Sequence, residues 1–168
     1  HREWGPLEPF DDSMPQILRE SGIYCHLISD HLHYWEDGGA TYHNRYSSWE
    51  IVRGQEGDHW KGQVQNPEIP PVVKIPQKQT GGGTSGLWRY DWVNRKYICE
   101  EKDFPQTKCF DLACEFIEKN KDQDNWFLHL ETFDPHEPFY APQKYIELYP
   151  EDYTGKHFDW PRGKAEET

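Results

Sequence analysis

A helix pattern followed at once by a short apolar run occurs twice in this chain, and that repeated order constrains the fold more than any other feature. The first pair opens at Asp12-Ser13-Met14-Pro15, where Asp or Ser suits a helix N-cap and Pro its first turn. The helix runs through Ile17, Leu18 and Glu20 and stops at Gly22. Ile23–Ser29 (IYCHLIS) follows, mostly apolar and without clean alternation, which predicts a strand covered on both faces. The second pair begins at Thr107. Phe110, Ala113, Cys114 and Ile117, with Leu112 and Phe116 beside them, recur at three- and four-residue spacings and predict an amphipathic helix ending near Asn120 and Lys121. Trp126–Phe133 (WFLHLETF) then reads as a second strand, cut off by Asp134-Pro135. Helix then strand, twice, predicts an α/β fold: part of a layered mixed or parallel sheet with flanking helices, both runs lying parallel in one sheet.

Between the pairs, from Arg53 to Gln106, the composition shifts to Gly, Pro, Lys, Gln and charge, with Pro70-Pro71 and Gly81-Gly82-Gly83 as breakers. This predicts an irregular excursion, about 53–106, within one segment of a domain spanning 1–168. The aromatic stretch Trp88–Tyr97 (WRYDWVNRKY) is expected to anchor it to the body, and the Gly triplet to be its mobile tip. Pro142–Tyr149 (PQKYIELY) predicts a further short helix, and the tail beyond Tyr153 reads as irregular.

Composition narrows the function classes. Leu, Ile, Val and Phe make up fewer than one residue in five, so eight Trp and ten Tyr must supply much of the packing. That thin aliphatic supply predicts that the isolated chain folds poorly and belongs to a larger body. The only methionine is Met14, so His1–Ser13 precede any possible start, and the expectation is a chain that is truncated, processed or incompletely recorded. Lys and Arg total 18 against 30 carboxylates, giving a net charge of −12 and no basic run, which argues against nucleic acid as a partner. No apolar run approaches the ~18 residues of a membrane span and no targeting signal is legible, so the segment is expected to be soluble, its compartment cytoplasmic or unknown. Cys25, Cys99, Cys109 and Cys114 show no CxxC pairing, which excludes zinc-ribbon and thioredoxin-type sites and leaves reduced core cysteines as the expectation.

In an open α/β sheet, ligands bind beyond the carboxyl ends of the strands. Both predicted strands end there in histidine, the first in Asp30-His31-Leu32-His33, the second in Asp134-Pro135-His136-Glu137-Pro138-Phe139. Prolines on both sides of His136 stiffen its loop. His136 is therefore the candidate catalytic group, expected to face the crevice on the side of His31 or His33, which are candidate substrate-binding groups. Plainer readings stand beside these. A loop histidine is often satisfied by a backbone carbonyl; His31, His33 and His43 could instead bind a metal, although no third ligand follows at a recognisable spacing. Asp11-Asp12 reads as a helix cap before it reads as a metal pair.

The segment NWFLHLETFDPHEPFYAP, residues 125–142, resembles the strand and Asp-Pro-His-x-Pro-Phe/Tyr loop of the formylglycine-dependent sulfatases in the alkaline phosphatase superfamily. MPQILRESGIYCHLISDHLHYW, residues 14–35, resembles their helix, Gly-Tyr turn and strand leading toward a Gly-Lys-x-His motif, and the order and separation of the two blocks match. RGQE at 53–56 and the NRKY excursion are similar to stretches in some bacterial sulfatase-like hydrolases. The resemblance implies an alkaline-phosphatase-like sheet of which this chain holds an incomplete, central part. It implies hydrolysis of a sulfate ester, of a small molecule or a carbohydrate, in which His136 bonds a sulfate or leaving-group oxygen and His31 and His33 lie near the sulfate. It further implies a divalent metal, calcium, and a formylglycine nucleophile made from Cys/Ser-x-Pro-x-Arg, both supplied outside this segment by the remainder of the parent chain. No cysteine here is followed by x-Pro-x-Arg, and Ser13-Met14-Pro15-Gln16-Ile17 has Ile17 in place of Arg, so these 168 residues alone are expected to be inactive. Asp30 falls roughly where the family carries its substrate-binding Lys. Two rival readings remain: a phosphodiesterase or phosphonate hydrolase of the same superfamily, and a non-catalytic binding module that has lost the site.

Overall fold

In the computed structural model, which describes residues 5–36, 41–71, 73, 86–149 and 154, the first pair forms as α1 (Met14–Glu20) and β1 (Tyr24–Ser29). Ser13 is the N-cap and Pro15 sits in the first turn, yet the Ser13 side chain makes no capping bond; its carbonyl accepts the Ile17 N–H at 3.0 Å. Asp11 is not a cap either, because its carboxylate accepts the Glu8 N–H at 2.8 Å and closes the preceding turn. At the other end Gly22, with φ +85°, lets the Ile23 N–H reach back to the Leu18 carbonyl at 3.0 Å, the left-handed exit that favours glycine.

The second pair forms as α3 (Pro105–Asn120) and β3 (Trp126–Glu131). With β2 (Ser48–Ile51) these strands build a three-stranded parallel sheet in the order β2-β1-β3. The expectation that the two runs share one sheet and lie parallel holds. Central β1 is buried from Cys25 to Ser29, which explains its lack of alternation. One sheet face packs Ile28, Leu128 and Leu130 with Val52 against Leu112, Cys109 and Ala113 of α3. The other gathers Cys25, Leu27 and Phe127 with Tyr46, Tyr34 and, from α1, Leu18.

The buried stripe of α3 differs from the predicted one. It follows Pro105, Cys109 and Ala113, while Phe110 and Ile117 are 51% and 45% exposed. Small residues at four-residue spacing face the sheet here. Cys25 and Cys109 are reduced and buried as expected, whereas Cys99 and Cys114 are free but exposed.

The chain divides into two compact units. The first comprises His1–Gln55 and Pro105–Phe133 and contains the sheet; the second comprises Glu56–Phe104 and Asp134–Thr168. In the second, the aromatic stretch that read as part of an irregular excursion forms α2 (Leu87–Asn94) and a 3₁₀ turn at Arg95–Tyr97. Buried Arg89 of α2 gathers the loop 63–66, donating to Asn66 Oδ1 at 2.9 Å and to the Val64 carbonyl at 3.0 Å. The Arg95 guanidinium pairs with Asp91 at 2.8 Å and lies 4.4 Å from the ring centres of both Trp92 and Tyr140. The Tyr140 hydroxyl donates to the Ile98 carbonyl at 2.9 Å. A one-turn helix, α4 (Gln143–Ile146), lies inside the predicted Pro142–Tyr149 segment. The Gly81–Gly83 triplet and nearly all of the tail beyond Tyr153 lie outside the described residues. Among the described residues no helix is long and apolar enough to cross a membrane.

Candidate functional site

At the carboxyl ends of β1 and β3 the register sets Ser29 opposite Glu131. The Ser29 hydroxyl donates to Glu131 Oε2 at 3.3 Å and accepts the His31 N–H at 3.0 Å. His31 Nδ1 lies 3.2 Å from Glu131 Oε1, and the Tyr34 hydroxyl bonds the same carboxylate. Burial pushes the Glu131 carboxyl up, but the hydrogen bonds from His31 and Tyr34, with the nearby charges of His31 and His129, outweigh it and hold the group below its ordinary range. Glu131 is thus an anion at neutral pH. Burial first, then the Glu131 carboxylate, pushes the Tyr34 phenol far up, so Tyr34 stays a donor.

Aromatic rings wall this network. The His31 ring centre lies 4.8 Å from that of Tyr34, 4.9 Å from Phe133 and 5.2 Å from His33. The first unit therefore brings His31 and His33 together. His33 sits farther toward solvent, its Nδ1 2.6 Å from Glu36 Oε2 on the 3₁₀ turn Leu32–Trp35 that β1 leads into. His43 stacks on Trp35 at 4.8 Å and meets the edge of Trp49, and burial lowers its pKa; it is a core histidine. Asp30, 1% exposed, turns into the sheet end, where its Oδ1 accepts the Phe133 N–H at 2.7 Å.

His136 belongs to the second unit. The Asp134-Pro135 and Glu137-Pro138 bonds on its two sides are cis, and its side chain is 46% exposed. Its Nδ1 lies 2.8 Å from the Glu137 carbonyl oxygen. A carbonyl only accepts, so Nδ1 carries a proton.

Two members of the His31 network were not legible as site residues. Glu131 closes an apolar strand 100 residues from His31, and only the parallel register unites them. Tyr34 reads as one aromatic in the run HLHYW, although its place one helical turn after His31 is a usable signal.

Among the described residues no group of three or more His, Cys, Asp or Glu side chains is placed to hold a metal ion. Ser13, the nearest match to a nucleophile motif, is the N-cap of α1, and Ile17 in the Arg position is half-exposed. These residues do not fit the cation centre or the nucleophile that the resemblance implies.

The family model named Sulfatase matches residues 2–159. No curated protein and no solved structure matches the chain.

Proposed function

The chain belongs to the sulfatase family, and on that premise we propose that it forms part of a hydrolase cleaving sulfate esters of small molecules or carbohydrates. The observation that carries this reading is the family match over 2–159, which includes the Asp-Pro-His loop at 134–136. His136 is assigned the catalytic role, and His31 and His33 bind substrate. Cleaving a sulfate ester builds negative charge on the sulfuryl oxygens and the departing alkoxide, and preorganised N–H donors aimed at that charge lower the barrier. Each of the three imidazoles has Nδ1 beside an acceptor, Glu137 O for His136, Glu131 for His31 and Glu36 for His33. Each then carries a second N–H, at Nε2, when protonated. With Asp30 roughly where the family carries its substrate-binding Lys, a protonated imidazole is a cation that these loops can offer.

Release of 4-nitrophenol from 4-nitrophenyl sulfate, and of sulfate from sulfated sugars, tests the reading on the full-length protein, with bis(4-nitrophenyl) phosphate as the competing substrate. Turnover of a sulfate ester is expected. Turnover of the phosphodiester alone would move the protein to the phosphorus-ester branch, and no turnover of any of them would favour a binding module.

A further inference from the structure

We propose that Glu131 is a positioning residue of the sulfate-ester site, fixing the tautomer and the orientation of His31 through Nδ1; the proposal rests on reading His31 as a substrate-binding group. The placement comes from the sheet itself. Glu131 is the last residue of β3, in register with Ser29, and His31 follows two residues later. The Ser29 hydroxyl ties the assembly from both sides, donating to Glu131 and accepting the His31 backbone N–H. Three donors, from Ser29, His31 and Tyr34, converge on one carboxylate. The Tyr34 and Phe133 rings, each within 4.9 Å of the His31 ring centre, restrict its rotation.

The chemistry of a carboxylate decides the tautomer. An ionised carboxylate only accepts, so whichever charge His31 carries, its Nδ1 holds a proton. Neutral His31 then keeps its lone pair at Nε2, and protonated His31 has a second donor there. A bare carboxylate this close to a sulfate would repel it. A carboxylate that accepts from three donors and orients an imidazole is an arrangement in which an acid at an anion site has a use. The neighbouring His33–Glu36 pair differs. Both residues lie on or beside one short turn, with side chains 25% and 49% exposed, so solvent screens the pair and neither member is fixed by the sheet.

The test uses the full-length protein labelled with ¹⁵N-histidine, and inorganic sulfate as the binding probe. At a pH where His31 is neutral, its nitrogen shifts are expected to report a proton on Nδ1. In Glu131→Gln the ring should lose this single tautomer, and sulfate affinity should fall about 10- to 100-fold, the scale for losing a carboxylate that orients a site histidine. Glu131→Asp, which withdraws the carboxylate by one methylene, should fall between the two and covers the case in which the Gln variant does not fold. Glu36→Gln should leave the His31 signal in place. A proton on Nε2 in the wild-type protein would overturn the proposal without any variant. Loss of sulfate binding in His31→Ala with wild-type binding in Glu131→Gln would overturn the positioning role alone. Unchanged binding in His31→Ala would overturn the assignment of His31 to the site, and the proposal with it.

Discussion

Asp30 Oδ1 accepts the backbone N–H of Phe133 at 2.7 Å, fastening the exit of β1 to the exit of β3. The carboxylate is buried, so removing it leaves a buried donor without that acceptor. Asp30→Ala is expected to cost about 1–3 kcal/mol, read as a lower melting temperature, while Asp30→Asn keeps a carbonyl acceptor and should recover much of the loss. An Asp30→Ala protein that melts like wild type would show that the bond does not hold the strand ends.

Gly57 and Gly62 form a matched pair in the second unit. A Cβ on Gly57 would lie 2.6 Å from the Cα and the carbonyl oxygen of Leu87, backbone atoms at the start of α2, whereas a Cβ on Gly62 meets nothing within 4 Å. Gly57→Ala is expected to destabilise by roughly 1–3 kcal/mol through overpacking, and Gly62→Ala to be neutral. Thermal melts of the two variants in parallel check this, and equal melts would contradict the close approach.

Glu131 gives stability a pH dependence of known sign. Its folded-state pKa lies below the ordinary value near 4.5, so its contribution is fully present above that ordinary value. It is lost as pH falls through the folded value, where the network must protonate. The stability gap between wild type and Glu131→Gln should therefore be widest near neutrality and close in acid. Urea melts across pH 7 to 3 read it; a gap that widens in acid would reverse the sign and refute the network.

The exposed side of α3 bears directly on how the chain behaves alone. Phe110 and Ile117 present apolar surface that the sheet does not cover. The isolated chain is expected to bind a hydrophobic dye and melt broadly, and Phe110→Gln with Ile117→Gln to lower dye binding while shifting stability by no more than ~0.5 kcal/mol. A sharp melt with no dye signal would show that the aromatics complete a self-sufficient core.

The elements that carried long apolar runs with capping residues at their ends were legible: Pro15 and Gly22 bracket α1, and Asp134-Pro135 terminates the run that becomes β3. β2 was not, because Ser48-Trp49-Glu50-Ile51 alternates over only four residues, too short a run to single out, and becomes a strand by pairing with β1. The face of α3 was misplaced for a related reason. Phe110 and Ile117 outweigh Cys109 and Ala113 in hydrophobicity, yet the small pair faces the sheet. α2 was obscured by charges that its own unit buries, Arg89 against loop carbonyls and Asp91 against Arg95. Of the candidate site, His31 and His33 were legible from their place at a strand end, whereas the Glu131 that holds His31 is a product of register.

His136 separates a chemical role from a structural one. Its Nδ1 is committed to the Glu137 carbonyl at 2.8 Å, so a structural role acts through Nδ1 and a catalytic role through Nε2. Asparagine places an amide nitrogen near the Nδ1 position, and glutamine places one near Nε2. If His136 bonds the sulfate or the leaving oxygen, His136→Ala should lower turnover of a sulfate ester by about 100-fold, the usual scale for a group acting on developing charge. His136→Asn should do no better than Ala, and His136→Gln should restore part of the rate without its pH dependence, because an amide does not titrate. kcat and kcat/KM measured against pH for all three variants decide the matter. Rescue by Asn and not by Gln would make His136 a loop-fastening residue, and unchanged turnover in the Ala variant would remove it from the site.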